Sequence, residues 1–323
     1  MAHSLSQRGW QVTVVDAAAE PASGVSGLPV GLYAPYISAD NNFTSQISAV
    51  GVQFTKKFVD QLLVKGIDWQ PSGVMSRKFG ETERWHADAG WIKPAALVKA
   101  CLSQANVTWR GNCDVKRLAR NGHSWTLLGK DDQILAQADM VVITASNQSA
   151  ELLNTVPATP NLNFQAVRGQ VTYGDLKETQ LSHNKPITYP INGSGSYVET
   201  DTVWLVGATY DRDNLSLDAS IRDQVDNFER LENLVPDIAL RLKPTFERGL
   251  VKNWVGIRCA TTDRLPIVGE VMPGLWLCTA MASRGLTFAP LCAELLAAQC
   301  QNEPLPLNPR LVKALSIQRY MRK

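Results

Sequence analysis

The segment from Trp254 to Leu296 constrains this chain more than any other. It carries Trp254-Val255-Gly256-Ile257-Arg258-Cys259, then Thr262-Asp263-Arg264-Leu265-Pro266-Ile267-Val268-Gly269, then the apolar Leu275-Trp276-Leu277-Cys278-Thr279. After these comes Ser283-Arg284-Gly285-Leu286-Thr287-Phe288-Ala289-Pro290, at the head of a long apolar run. Leu275 to Thr279 reads as a strand and the run after Gly285 as a helix. A strand that delivers a Gly-Leu-Thr turn into a helix start gathers unpaired backbone N–H groups and a positive dipole end at one point, which suits an electron-rich ring edge.

The opposite end of the chain complements this. Ala2 to Arg8 reads as the end of a helix stopped by Gly9, and Gln11-Val12-Thr13-Val14-Val15-Asp16 as a buried strand closing on an acid. In a dinucleotide-binding unit a carboxylate at the tip of the second strand accepts hydrogen bonds from the adenosine ribose, and Asp16 is placed for that role. The first strand and the G-x-G-x-x-G turn of such a unit are expected before Met1, so that the chain begins inside the first helix. The reading frame upstream is expected to encode them. A stop codon there would favour a degenerate protein that binds no such cofactor.

With 323 residues and 45% hydrophobic composition, two interleaved domains are expected. A net charge of +2 permits contact with nucleic acid through a local patch but does not predict it. The six cysteines show no CxxC spacing, which fits reduced thiols in a cytoplasmic protein and suggests no metal site. No apolar run of ~18 residues and no secretory leader is present, so a soluble chain is expected.

Gly256-Ile257-Arg258 with Thr262-Asp263, Pro266, Gly269, Ser283-Arg284-Gly285 and Ala289-Pro290 resembles the FAD-dependent amine oxidases of the D-amino acid, glycine and sarcosine oxidase type. Trp91 to Leu102 and Gly207-Ala208-Thr209-Tyr210-Asp211 extend the resemblance to nearly the whole chain. Within that group it is similar to the FAD-dependent domain of the bifunctional enzymes that make 5-methylaminomethyl-2-thiouridine in tRNA.

The resemblance implies an α/β, two-domain fold. A Rossmann-like FAD-binding domain, lacking its first strand and Gly-rich loop, would comprise residues 1–72, 91–160 and 255–323. A substrate domain with a mixed, largely antiparallel sheet would comprise residues 73–90 and 161–254. Ser26, Gly27, Gly31 and Leu32 are then expected to contact FAD, the alternative being a plain Gly-rich connection. Ala145 would pass the adenosine side, and Gly169 and Arg168 the isoalloxazine ring, with a surface salt bridge as the alternative for Arg168. Ser283, Arg284, Gly285, Leu286 and Thr287 would meet the flavin, with backbone donors of the last three at its pyrimidine edge. Arg258 would clamp a substrate carboxylate, because a planar guanidinium holds one through two parallel hydrogen bonds. Its alternative is a structural ion pair with a nearby Asp.

The implied reaction removes the carboxymethyl group of 5-carboxymethylaminomethyluridine at the tRNA wobble position, giving aminomethyluridine and glyoxylate. A methyltransferase domain or partner using S-adenosylmethionine would follow. Two rivals stand beside it: an oxidase of free glycine, sarcosine or a D-amino acid, and a non-catalytic remnant that binds tRNA or a partner without FAD.

The remaining elements read as scaffold. Thr44 to Leu63 is expected to be helical, with Val50, Phe54, Phe58 and Leu62 on one face. A helix from Ile221 should carry Ile221, Val225, Phe228 and Leu231 inward, with Ser220 as N-cap and a halt near Pro236. Asp263 reads as a turn residue, Arg264 as a positioning residue and Cys259 as a small core residue. His3, His86, His123 and His183 read as surface or loop residues. The basic tail Arg319, Arg322 and Lys323 reads as solvated, with RNA contact as the alternative.

Overall fold

In the computed structural model, residues 1–323 are described except 78–81, 180–186, 213 and 322–323, so His183, Arg322 and Lys323 lie outside the described residues. Among the described residues the largest sheet has seven strands. Its strand order is Lys252–Ala260, Gln165–Asp175, Val203–Gly207, Ser196–Glu199, Ile191–Asn192, Val74–Ser76 and Arg84–His86. Every described pairing is antiparallel except Ile191–Asn192 with Val74–Ser76, which makes the sheet mixed.

One face of this sheet is covered by the helices Ile221–Leu234 and Pro236–Glu247. Ile191, Tyr197, Trp204 and Val206 pack there against Leu231, Leu234, Ile238 and Leu242. The side chain of Ser220 accepts from Asp223 N, as an N-cap should. The inward face of the first helix departs from expectation: Ile221 is 81% and Val225 50% exposed, while Asn227 is fully buried. The cause is the polar strand face beneath it. Arg168, Gln170 and Thr172 project toward this helix, so polar partners outcompete the apolar stripe for the contact. Pro236 ends one helix and occupies the first turn of the next, where its missing N–H costs nothing.

Outside this sheet lie two parallel strand pairs, Val12–Val15 with Val107–Arg110 and Val141–Ile143 with Leu275–Thr279; Ile267–Met272 adds antiparallel to the latter. No described strand joins the two pairs. Val12–Val15 is half-exposed rather than buried, because its ladder runs along one edge only. The helix Gly285–Cys300 lies in the core through Phe288, Leu291, Cys292, Leu295 and Leu296. Against it packs Phe43–Leu62, capped by Asn42 Oδ1, which accepts from Ser45 N at 3.1 Å. The most buried positions of Phe43–Leu62 include Ser48, Gly51, Val52 and Thr55, with the expected Val50 and Phe54 half-buried against the core beside them, and a Cβ at Gly51 would overlap the Thr287 carbonyl. Small residues let the two helices approach closely. No described helix is long and apolar enough to cross a membrane.

Candidate active site

The strand Lys252–Ala260 is the element on which the site converges. It touches the turns Val25–Gly27, Ser146–Gln148 and Ala282–Arg284. Along it, Trp254, Gly256 and Arg258 share one face by the two-residue period of a strand, as do Val167, Gly169 and Val171 opposite them. Gly256 and Gly169 stand directly across the ladder. Two facing glycines leave room on this face that larger neighbouring side chains take. The Trp254 ring lies over Gly256 and reaches Gly27, while the Arg258 guanidinium lies over Gly169, where a Cβ would overlap it.

Arg258 is fixed from three directions. Gly169 is its floor, Thr209 O accepts from its Nη1 at 3.3 Å, and the Tyr210 ring centroid lies 4.6 Å from its Cζ. Burial lowers its pKa and the Tyr210 hydroxyl acts in the opposite sense, yet guanidinium stays charged throughout the range in which proteins fold. Among the described residues no carboxylate pairs with it, so the structural ion pair with a nearby Asp is not formed. A half-buried cation without a counter-ion is a charge awaiting a ligand.

Arg168 does something else. It is 1% exposed, and its guanidinium bonds Asp223 Oδ2 at 2.5 Å, Ser216 O at 2.7 Å and Asp218 O at 2.6 Å. It sits one residue from Gly169 on a strand, so its side chain leaves the opposite face of the sheet. The expectation that Arg168 passes the ring is therefore corrected to a buried ion pair under the helix Ile221–Leu234.

The helix Gly285–Cys300 begins without any side-chain cap, leaving first-turn N–H groups available. Leu286 meets Gly31, where a Cβ would lie 2.8 Å from its Cδ1, and Thr287 Oγ1 is engaged with the backbone of Ala34. Arg284 lies with its Cζ 4.6 Å from the Tyr36 ring, and burial lowers its pKa. Ser283 is exposed, and Ser26 and Leu32 are half-buried. Ser146, Ala280 and Ala282 all have positive φ, at 54°, 63° and 50°. Thr279 Oγ1 bonds Ser146 O at 3.3 Å, which ties together the turns after two adjacent parallel strands. Such strained turns at the carboxyl ends of parallel strands are where α/β sheets bind ligands. Ala145 lies at the first of them. Asp16 caps its own turn through Ala18 N at 2.8 Å and is exposed, with its second oxygen free for a hydroxyl.

Several other expectations change. His3 and His86 are buried, His86 against Ser76 Oγ at 3.1 Å, because both lie on packed elements. Arg319 is committed to Asp263 at 3.1 Å and to the carbonyls of Leu265 and Pro266, so it is a staple rather than a free tail cation. Tyr210, Thr209 and Trp254 went unassigned from sequence. Only the antiparallel bonds of Thr209 and Asp211 to Gln170 and Arg168 bring the run Gly207 to Asp211 beside Arg258.

These residues fit a flat cofactor with a polar rim: an uncapped helix start, strained turns at the ends of parallel strands, and an exposed acid at a strand tip. The chain belongs to the DAO family of FAD dependent oxidoreductases, whose model matches residues 82–299. The chain is 38% identical over 363 aligned residues to a tRNA 5-methylaminomethyl-2-thiouridine biosynthesis bifunctional protein of a Polaromonas species, covering 98% of this chain and 57% of the relative. The protein of the same name from Albidiferax ferrireducens is 39% identical over 345 residues, covering 99% and 56%. The chain thus spans little more than half the length of these relatives. In fold it is similar to glycine oxidase from Geobacillus kaustophilus, with a TM-score of 0.75, 18% identity, and coverage of 98% of this chain and 94% of that one. It is also similar to iminodiacetate oxidase from Chelativorans sp. BNC1, with a TM-score of 0.73, 18% identity, and coverage of 98% and 95%.

Proposed function

We propose that the chain oxidises the carboxymethylaminomethyl group of tRNA wobble uridine, releasing glyoxylate and leaving aminomethyluridine. The observation that carries this is Arg258, a half-buried cation with no carboxylate partner among the described residues, seated on Gly169 beside the uncapped helix start. A substrate carboxylate supplies the missing counter-charge and is oriented by the planar guanidinium. The name shared by the relatives supports the choice of a tRNA substrate over a free amino acid.

FAD held here would supply the two-electron acceptor for the hydride of the substrate's α C–H, and water would hydrolyse the resulting substrate imine to the amine and glyoxylate. The chain's own residues do the positioning. Arg258 holds the carboxylate, Gly169 gives its guanidinium room, the backbone of Gly285, Leu286 and Thr287 neutralises charge at the pyrimidine rim, and Asp16 accepts from ribose. On this reading residues 1–72, 91–160 and 255–323 hold FAD and residues 73–90 and 161–254 close over the substrate, with the strand Lys252–Ala260 serving both. The protein works in the cytoplasm, and a methyltransferase domain or partner acts next.

The test is glyoxylate release from tRNA bearing 5-carboxymethylaminomethyluridine, run beside peroxide release from glycine, sarcosine and D-amino acids. Glyoxylate from the tRNA is expected. Turnover of free amines alone would make the protein an amino-acid oxidase, and turnover of neither by flavin-loaded protein would remove the proposal.

A further inference from the structure

We infer that Arg264 and Arg284 together grip a backbone phosphate of the substrate RNA at the mouth of the site. This rests on the tRNA reading above. Arg284 is the N-cap residue of the helix Gly285–Cys300 and is half-buried, with no acidic residue in the first turn that follows. A cation is out of place there, because a helix start is the positive end of the macrodipole and favours negative charge. Its Cζ lies 4.6 Å from the Tyr36 ring, which holds the guanidinium without neutralising it. Arg264 lies in the turn that leaves the strand Lys252–Ala260, and that strand touches Ala282–Arg284. Its backbone is held at φ 60°, a strained value for such a side chain, with Arg264 N donating to Thr261 O at 3.1 Å. The acid of this turn, Asp263, is already engaged by Thr261 Oγ1 at 2.7 Å, Leu265 N at 3.0 Å and Arg319 Nε at 3.1 Å. The Arg264 side chain is thus exposed on a pinned turn, and among the described residues neither guanidinium has a carboxylate partner.

The electrostatics agree with this placement. Burial lowers the Arg284 pKa, the hydroxyls of Tyr210 and Tyr36 oppose that, and the like charge of Arg264 adds to it. Arg258 feels burial and Tyr210 but not Arg264. The pair therefore shares the Tyr210 neighbourhood with the carboxylate clamp, yet forms a second centre of positive charge. Two like charges at the positive end of a helix, with no counter-ion, are stabilised by an anion placed between them. The substrate carboxylate is taken by Arg258, and the other anions that an RNA brings are its phosphodiesters. The planar fork of a guanidinium matches phosphate oxygens as it does a carboxylate. A phosphate contact carries no sequence information but fixes the position of the strand, which is what delivery of one nucleotide's substituent to Arg258 requires.

The test uses the flavin-loaded protein and anticodon stem-loop RNAs carrying 5-carboxymethylaminomethyluridine, in which one loop phosphate at a time is replaced by a neutral methylphosphonate. With the unaltered protein, replacement at the gripped linkage should raise KM for glyoxylate release by about 10-fold or more, the size expected for a hydrogen-bonded charge pair. In Arg264→Gln, KM for the unsubstituted RNA should rise by a similar factor, and the same methylphosphonate should then add less than about twofold. Arg264→Lys should restore part of the phosphate's effect, as a point charge without the fork. Arg284→Gln is read in the same way. Each comparison is between two RNAs within one protein, so a general effect of a variant on the site cancels. A methylphosphonate effect as large in the variants as in the unaltered protein, or none at any loop linkage, overturns the inference while leaving the proposed reaction standing. Absence of glyoxylate from the unsubstituted stem-loop with the unaltered protein would instead remove the reaction itself, and the phosphate grip with it.

Discussion

Arg258 and Gly169 are coupled: the guanidinium occupies the space a side chain at 169 would need. Because the overlapping atoms are the far end of a flexible side chain, Gly169→Ala should displace the guanidinium rather than the backbone. We expect it to lower kcat/KM by about 100-fold with little change in melting temperature, since a misplacement near 1 Å suffices for such a loss. Arg258→Met should cost about 2–5 kcal/mol of transition-state binding, measured as kcat/KM, and Arg258→Lys should recover part of it as a point charge without the planar fork. Cys259, next in the chain, is 4% exposed and burial pushes its thiol up to about 11. At about pH 8 its thiolate fraction is then on the order of one in a thousand, so iodoacetamide should leave it unmodified in the native protein and react as pH approaches that value or the chain unfolds. The Gly-x-Arg string marks Arg258 as a candidate through the family resemblance. The floor and the aromatic neighbour of Arg258 are not legible in the sequence, because Gly169 and Tyr210 meet it only through strand pairing.

The element that most separates sequence pattern from structure is the helix Ile221–Leu234. Its position and N-cap follow from Ser220 and the apolar spacing, but the face it buries is decided by Arg168, Gln170 and Thr172 on the strand below. Asn227 donates to Gln170 O at 3.0 Å, and Gln170 Nε2 to Ser220 O at 2.9 Å. A buried network of this kind strengthens helix-to-sheet registration and penalises any unmatched member. Arg168→Met, which strands Asp223 beneath the helix, should lower stability by about 3–5 kcal/mol in denaturant unfolding. It should leave the flavin absorption spectrum of surviving folded protein unchanged, since this arginine faces away from Gly169. A spectral shift would instead return Arg168 to the cofactor. The helix Pro236–Glu247 is not evident from sequence because Pro236 reads as a stop, whereas in the structure it also starts the next helix.

For the molecule as a whole, the α/β class and the mixed sheet follow from the family resemblance, and the strand and turn that lead into the helix at Gly285 were legible in the residues themselves. The details that depend on distant packing were not: the small-residue contact between Phe43–Leu62 and Gly285–Cys300, the half-exposed Val12–Val15, and the convergence of three turns on Lys252–Ala260. On the proposed reading that convergence makes one strand both a wall of the cofactor site and the carrier of the carboxylate clamp. Anaerobic single-turnover reduction of the flavin-loaded protein by tRNA bearing 5-carboxymethylaminomethyluridine tests this most directly. The account predicts bleaching of the flavin's visible band with glyoxylate formed in equal amount, and bleaching slowed by about 30-fold or more in Arg258→Met at a limiting tRNA concentration. Equal rates in the two proteins, or bleaching without glyoxylate, would contradict it.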